Sequence, residues 1–230
     1  MYRTHIILDL EMNPVSVTFP QVLTVLRQEI IEIGAVKLNR SLKIISRFRC
    51  LVKPEYNHNI MPHIIKLTGI RNTDVAEAPS LGDALKLFSD WIGDVKNYRI
   101  YSWSDNDLKQ LRTECEIKKI PFPANMRRWI DFQRPFPRMM QISDMRRHIP
   151  LKEAVQYFDI TVDSRKAHSA LYDAEITAQL LVFFLNGEYR AQAEYNHTYS
   201  NQSERLTGTL GDLCNGALAE LLRQMQAEPA

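Results

Sequence analysis

Ile6-Ile7-Leu8-Asp9-Leu10-Glu11 is an apolar run with two carboxylates set into it at i and i+2. It reads as a buried strand over residues 4–11, and the spacing puts both acids on one face of that strand. A buried carboxylate is tolerated only where something pairs with it, and no basic residue lies inside the run. A strand end open to solvent would also accommodate Asp and Glu, so this stretch alone leaves two readings. Working outward, Glu29-Ile30-Ile31-Glu32-Ile33-Gly34-Ala35-Val36-Lys37-Leu38 alternates well enough for a second strand. Asn39-Arg40-Ser41 marks a turn, and residues 43–52 return as a third strand that Pro54 ends. Tyr98-Arg99-Ile100-Tyr101-Ser102-Trp103 reads as another buried strand, with a helix at 105–118 behind it. Helices are expected at 61–67, 80–92, 151–158 and 170–185, while 120–150, rich in Pro and Arg, holds little regular structure. Three adjacent strands followed by strand–helix alternation predict an α/β fold with a mixed central sheet.

The chain has 230 residues, 45% hydrophobic and 24% charged, with a net charge of +2. These are ordinary values for a globular protein, so any basic character must be local. No apolar stretch reaches membrane-spanning length, and the start carries no signal-peptide pattern. Three widely spaced cysteines, Cys50, Cys115 and Cys214, point to reduced thiols in a cytoplasmic protein and offer no zinc-binding spacing. Residues 1–187 are expected to form one domain. In 188–230, polar sequence to about 203 reads as a linker, and an amphipathic helix is expected at about 210–226. That extension is net negative, which suits packing or homo-oligomerisation through the C-terminal helix better than nucleic-acid binding.

A second acidic motif, His168-Ser169-Ala170-Leu171-Tyr172-Asp173, opens the last apolar helix. On that helix Asp173 shares a stripe with Thr177, Leu180 and Phe184, which should face the core. An acid in a first turn also favours the helix dipole without further function. His168 lies five residues earlier, about 140° away on a continuous helix, so the histidine is expected in the loop ahead of it. A mobile imidazole beside buried carboxylates suits a general base acting on water. A fourth acid stands at the start of the helix after the fourth strand, where the helical wheel does not separate Asp105 from Asp107. Hard carboxylate oxygens suit magnesium, and two ions about 4 Å apart clamp the attacking and leaving oxygens of a phosphodiester. The residues therefore point to a metal-dependent phosphodiester hydrolase.

Taken together, these motifs resemble those of the DEDDh family of 3′–5′ exonucleases in the ribonuclease H-like superfamily. Asp9-x-Glu11 is similar to the first motif, and His168-Ser-Ala-Leu-Tyr-Asp173-Ala to the third. Ser102-Trp103-Ser104-Asp105-Asn106-Asp107-Leu108-Lys109-Gln110-Leu111 resembles the second motif of the enhanced-RNAi and histone-mRNA subgroup with its bacterial relatives. That register aligns Asp107 with the metal-binding Asp, although Ser104 stands where the subgroup has Gly. Gln28 to Val36 and Leu67-Thr68-Gly69-Ile70 add further similarity, so the resemblance covers about residues 4–186.

The resemblance implies a ribonuclease H-like sheet and two magnesium or manganese ions held by Asp9, Glu11, Asp107 and Asp173, with His168 as base. It further implies release of 5′-mononucleotides from single-stranded 3′ ends. RNA is taken ahead of DNA. Contacts to the terminal nucleotide are expected from Met12, Asn13, Thr68, Gly69 and Trp103. Residues 118–152 hold nine basic residues, Arg127 and Arg128 among them, against Asp131 and Asp144, with Trp129, Phe132 and Phe136 interleaved. Phosphate pairing and base stacking there would bind the strand; a solvated loop over three buried aromatics is the plainer reading. Two rivals stand beside this reading: a DNA-directed exonuclease of the proofreading or repair type, and a catalytically weak nucleic-acid-binding adaptor on the same fold.

Overall fold

Alternation along the first strand sorts its side chains between two apolar layers. The structure, a computed structural model, describes residues 4–94, 96–142, 146–158, 160–163, 165–190, 193 and 194. In chain order the elements are β1 (Thr4–Pro14), α1 (Pro20–Leu23), β2 (Gln28–Leu38), β3 (Ile44–Leu51), α2 (Pro62–Thr68), α3 (Asn72–Val75) and α4 (Leu81–Ile92). They continue with β4 (Tyr98–Ser102), α5 (Asn106–Ile117), β5 (Trp129–Asp131), α6 (Phe136–Met139), α7 (Leu151–Ala154) and α8 (Ala170–Asn186). The strands form one sheet in the order β3-β2-β1-β4-β5. β1 pairs antiparallel with β2 and parallel with β4, so the sheet is mixed, as expected.

Ile6, Leu8 and Leu10 pack against Leu85 and Phe88 of α4 and Leu111 of α5. Ile7, with Val36 and Leu38 of β2, faces Ala174, Ala178 and Leu181 of α8. Helices thus cover both faces of the sheet, and period-two alternation places Asp9 and Glu11 on the α8 face with Ile7. Asp9 and Glu11 lie beyond the last β1–β4 pair, Ile7 with Tyr101, at the C-terminal end of the parallel strands.

Two departures from the expected elements have local causes. β5 arises inside the segment read as irregular. Its three residues, Trp129 to Asp131, are too few to leave a period, and they become a strand by pairing with Ile100 to Ser102. The helix expected at 151–158 is instead α7 followed by a 3₁₀ turn at Val155–Phe158. The α8 stripe of Thr177, Leu180 and Phe184 is buried, as anticipated. Gly187, at φ 79°, ends that helix, and beyond it Tyr189 stacks on Phe184 with ring centroids 4.8 Å apart. The helix expected at 210–226, and the oligomer contact assigned to it, lie outside the described residues. Among the described residues no helix is long and apolar enough to cross a membrane.

α8 comes close against the sheet at Gly34. A Cβ there would lie 2.0 Å from the backbone N of Leu171 and 2.1 Å from the carbonyl carbon of Ala170. Backbone cannot yield as a flexible side-chain end can. Gly34→Ala is therefore expected to cost at least about 3 kcal/mol, the upper range for overpacking a core, read as a fall in the urea midpoint at constant slope.

Candidate active site

The sheet delivers Asp9 and Glu11 from β1, the first turn of α5 delivers Asp107, and the first turn of α8 delivers Asp173. Their electrostatics show that the four meet. Burial holds the Asp9 carboxyl well above the usual carboxylate range, and the nearby charges of Asp107, Asp173, Glu11 and Glu32 raise it further. Glu11 is pushed up to about 9, first by burial and then by Asp173, Glu32 and Asp107. Asp107 is pushed up to about 7 by burial, with Asp105 and Asp131 adding to the rise and its own backbone hydrogen bond opposing it. Asp173 is raised by burial, an effect that His168 partly offsets. Such crowding of like charge is the signature of a cation site or of shared protons. Among the described residues no lysine or arginine makes an ion pair with any of the four.

His168 occupies the loop position expected of it. It is exposed, sits at φ 66° immediately before the α8 N-cap residue Ser169, and its backbone N–H donates to Oδ2 of Asp173 at 3.3 Å. Glu11, His168 and Asp173 each offer a ligand atom within 4.8 Å of the other two. Three carboxylates more than neutralise one divalent ion, and four suit a pair; hard oxygens with a single imidazole fit magnesium or manganese.

Asp105 and Asp107 are separated by their surroundings. Asp107 is buried, 6% exposed. Asp105, the residue ahead of α5, is partly exposed and pairs with Lys109 at 2.6 Å. A cleft of about 730 Å³ opens beside His168, and its lining includes Lys66, Thr68, Gly69, Lys166, Tyr172 and Glu175. Thr68 and Gly69 therefore share one cleft with the histidine.

The remaining expected substrate contacts lie elsewhere. Met12 continues the Leu8–Leu10 face and packs on the α4–α5 layer. Asn13 is fully buried: its Oδ1 accepts from the Met61 N–H at 2.9 Å and its Nδ2 donates to the carbonyl of Asn59 at 3.2 Å, which shapes the loop ahead of α2. Trp103 is buried and its indole N–H donates to the Ile149 carbonyl at 3.0 Å. Arg127 and Arg128 are exposed just before β5, where the Ile100 N–H donates to the Arg128 carbonyl at 2.8 Å. Since β1, β4 and β5 run parallel, that is the end of the sheet away from the carboxylates, roughly 13 Å back along the strands. Net charge along the chain could not reveal which end the arginines occupy.

Two acids near the site had no role assigned from the sequence. Asp131, at the end of β5, raises Asp107, and nothing in a three-residue strand signals it. Glu32, fully buried on β2 and opposite Glu11 in register, raises Asp9, Glu11 and Asp173. Its signal was available: an acid two residues from Gly34 in an otherwise apolar run.

The sequence profile of a family described as Exonuclease matches residues 6–181. Among curated proteins, 3′-5′ exoribonuclease 1 of Rattus norvegicus is 28% identical over 164 residues, covering 68% of this chain and 47% of the relative. ERI1 exoribonuclease 2 of Homo sapiens is 31% identical over 175 residues, covering 66% of this chain and 25% of the relative. The chain thus spans less than half the length of these relatives. Among solved structures, the nuclease domain of 3′hExo, a DEDDh family member bound to rAMP, superposes with a TM-score of 0.69 at 25% identity, covering 81% of this chain and 93% of that one. Exonuclease X in complex with 5′ overhanging duplex DNA superposes at 0.53 with 18% identity, covering 80% and 92%, a likeness of fold.

Proposed function

Starting from the fact that this chain belongs to the Exonuclease family, we propose that it is a metal-dependent 3′–5′ exonuclease releasing 5′-mononucleotides from single-stranded RNA. The observation that carries the reading is the convergence of Glu11, His168 and Asp173 within 4.8 Å, with Asp107 and Asp173 close enough to Asp9 to raise its carboxyl. Asp9, Glu11, Asp107 and Asp173 would hold two magnesium or manganese ions. When bound, such ions supply Lewis-acid stabilisation to the attacking and leaving oxygens of the phosphodiester.

The rest falls to the chain's own groups. His168 takes the proton of the attacking water at a ring nitrogen. Its exposure lets it exchange that proton with solvent, while its main-chain hydrogen bond to Asp173 keeps it at the cluster. Thr68 and Gly69 form the wall against which the terminal nucleotide rests, and Lys66 and Lys166 give the cleft the positive charge that a phosphate backbone requires. RNA is favoured by the names of the curated relatives, which are exoribonucleases.

A 5′-labelled single-stranded oligonucleotide tests this. In magnesium the RNA is expected to shorten stepwise from its 3′ end with release of mononucleotides, and excess chelator is expected to stop it. Release that persists in chelator, or cuts in a circular RNA, would refute the reading; a faster reaction on the matching DNA would move the substrate to DNA.

A further inference from the structure

We propose that Glu32 is a positioning residue of this site, a latch whose carboxylate fixes the start of α8, and with it Asp173 and His168, against the strand pair that carries Asp9 and Glu11. The inference rests on the nuclease reading for its kinetic consequence and on geometry for its content. Glu32 is wholly buried, so its charge must be met from within the protein. Both oxygens are engaged. Oε1 accepts from Nε of Arg49, and Oε2 accepts from the backbone N–H of Ala170 at 2.9 Å. A carboxylate occupied in this way acts through its neighbours.

The placement links the two halves of the site. Glu32 is the register partner of Glu11 across the β1–β2 pair. Ala170 is the first residue of α8, two residues after His168 and three before Asp173. The first N–H groups of a helix have no partner within it, and here one of them is held by the strand opposite Glu11. Gly34, two residues along on the same face, removes the Cβ that would otherwise hold the helix away. The edge strand completes the arrangement: Arg49 reaches Glu32, and Arg47, two residues before it, pairs with Glu175 one turn into α8 at 2.5 Å.

The test compares two substitutions of nearly equal length. Glu32→Gln keeps an oxygen to accept from Ala170; Glu32→Met fills the space and accepts nothing. Three readouts apply to the full chain: kcat and KM on single-stranded RNA, Mn²⁺ binding by calorimetry without RNA, and amide hydrogen exchange over residues 168–174. Glu32→Met is expected to lower kcat by about 10–100-fold, the range for partners that orient metal ligands, with KM little changed. The same variant should bind Mn²⁺ more weakly and exchange faster at 168–174. Glu32→Gln is expected to restore all three towards wild type. A folded Glu32→Met with wild-type exchange and Mn²⁺ binding overturns the proposal. So does a Glu32→Gln as impaired as Glu32→Met, because the oxygen it still offers to Ala170 would then not be what holds the start of α8. If Glu32→Met does not fold, Glu32→Gln decides alone, with wild-type exchange and binding expected and their loss fatal. If the wild-type chain degrades no nucleic acid, the nuclease reading fails, while exchange and Mn²⁺ binding still judge the latch.

Discussion

Asp107→Asn is expected to fold and to leave nuclease activity at the background of the assay, while Asp105→Asn keeps wild-type turnover. The two acids differ by one step on either side of the start of α5 and by nearly everything else. Asp107 is 6% exposed, and its carboxyl is pushed up to about 7 by burial and by like charge. Converting it to an amide relieves repulsion, so stability should not suffer. Activity should fall by more than the roughly 10–100-fold that loss of an outer-shell partner costs, because in the proposed two-ion reaction both oxygens of the displacement need their ions. Asp105 pairs with Lys109 at the surface, a contact worth about 0–1 kcal/mol. Turnover on single-stranded RNA and a urea melt of each variant are the measurements. The reverse pattern would move the fourth carboxylate to Asp105, and equal activity in both would remove this helix from the site.

His168→Ala is expected to lower kcat by about 10²–10⁴-fold, the usual contribution of general base catalysis, with little change in KM or in Mn²⁺ affinity. The substitution isolates the imidazole unusually well. The bond that ties this residue to Asp173 is made by its main-chain N–H at 3.3 Å, so alanine keeps it. An unchanged rate at saturating substrate would take His168 out of the reaction. A parallel loss of Mn²⁺ affinity would make it a ligand, an option left open by its place within 4.8 Å of Glu11 and Asp173.

What could be read from the sequence was what depends on period. The odd positions of β1, the stripe from Asp173 to Phe184 and the strand–helix alternation each repeat, and each appears in the structure as expected. The loop position of His168 followed from the same arithmetic. Properties set by pairing partners were hidden. Trp129 to Asp131 became a strand because β4 offered an edge. Arg127 and Arg128 fell at the far end of the sheet because β5 runs parallel to β1 and β4, a direction no local pattern encodes. Asn13 and Trp103 carry polar groups of the kind that bind ligands, and the fold engages them with loop 57–61 and with Ile149. Glu32 stood in plain view within a strand, but its bond to Ala170 spans 138 positions.

The backbone of His168 lies at φ 66°. An ordinary L-residue gives up about 1–2 kcal/mol in that left-handed region, which glycine enters without steric cost. A sturdier version of this chain therefore lies one substitution away, and that version has no imidazole. If His168 is the base proposed above, heat tolerance and catalysis are opposed at a single residue. A library selected only for surviving high temperature would drift towards glycine at 168 and end with a more durable protein that has lost its proposed base.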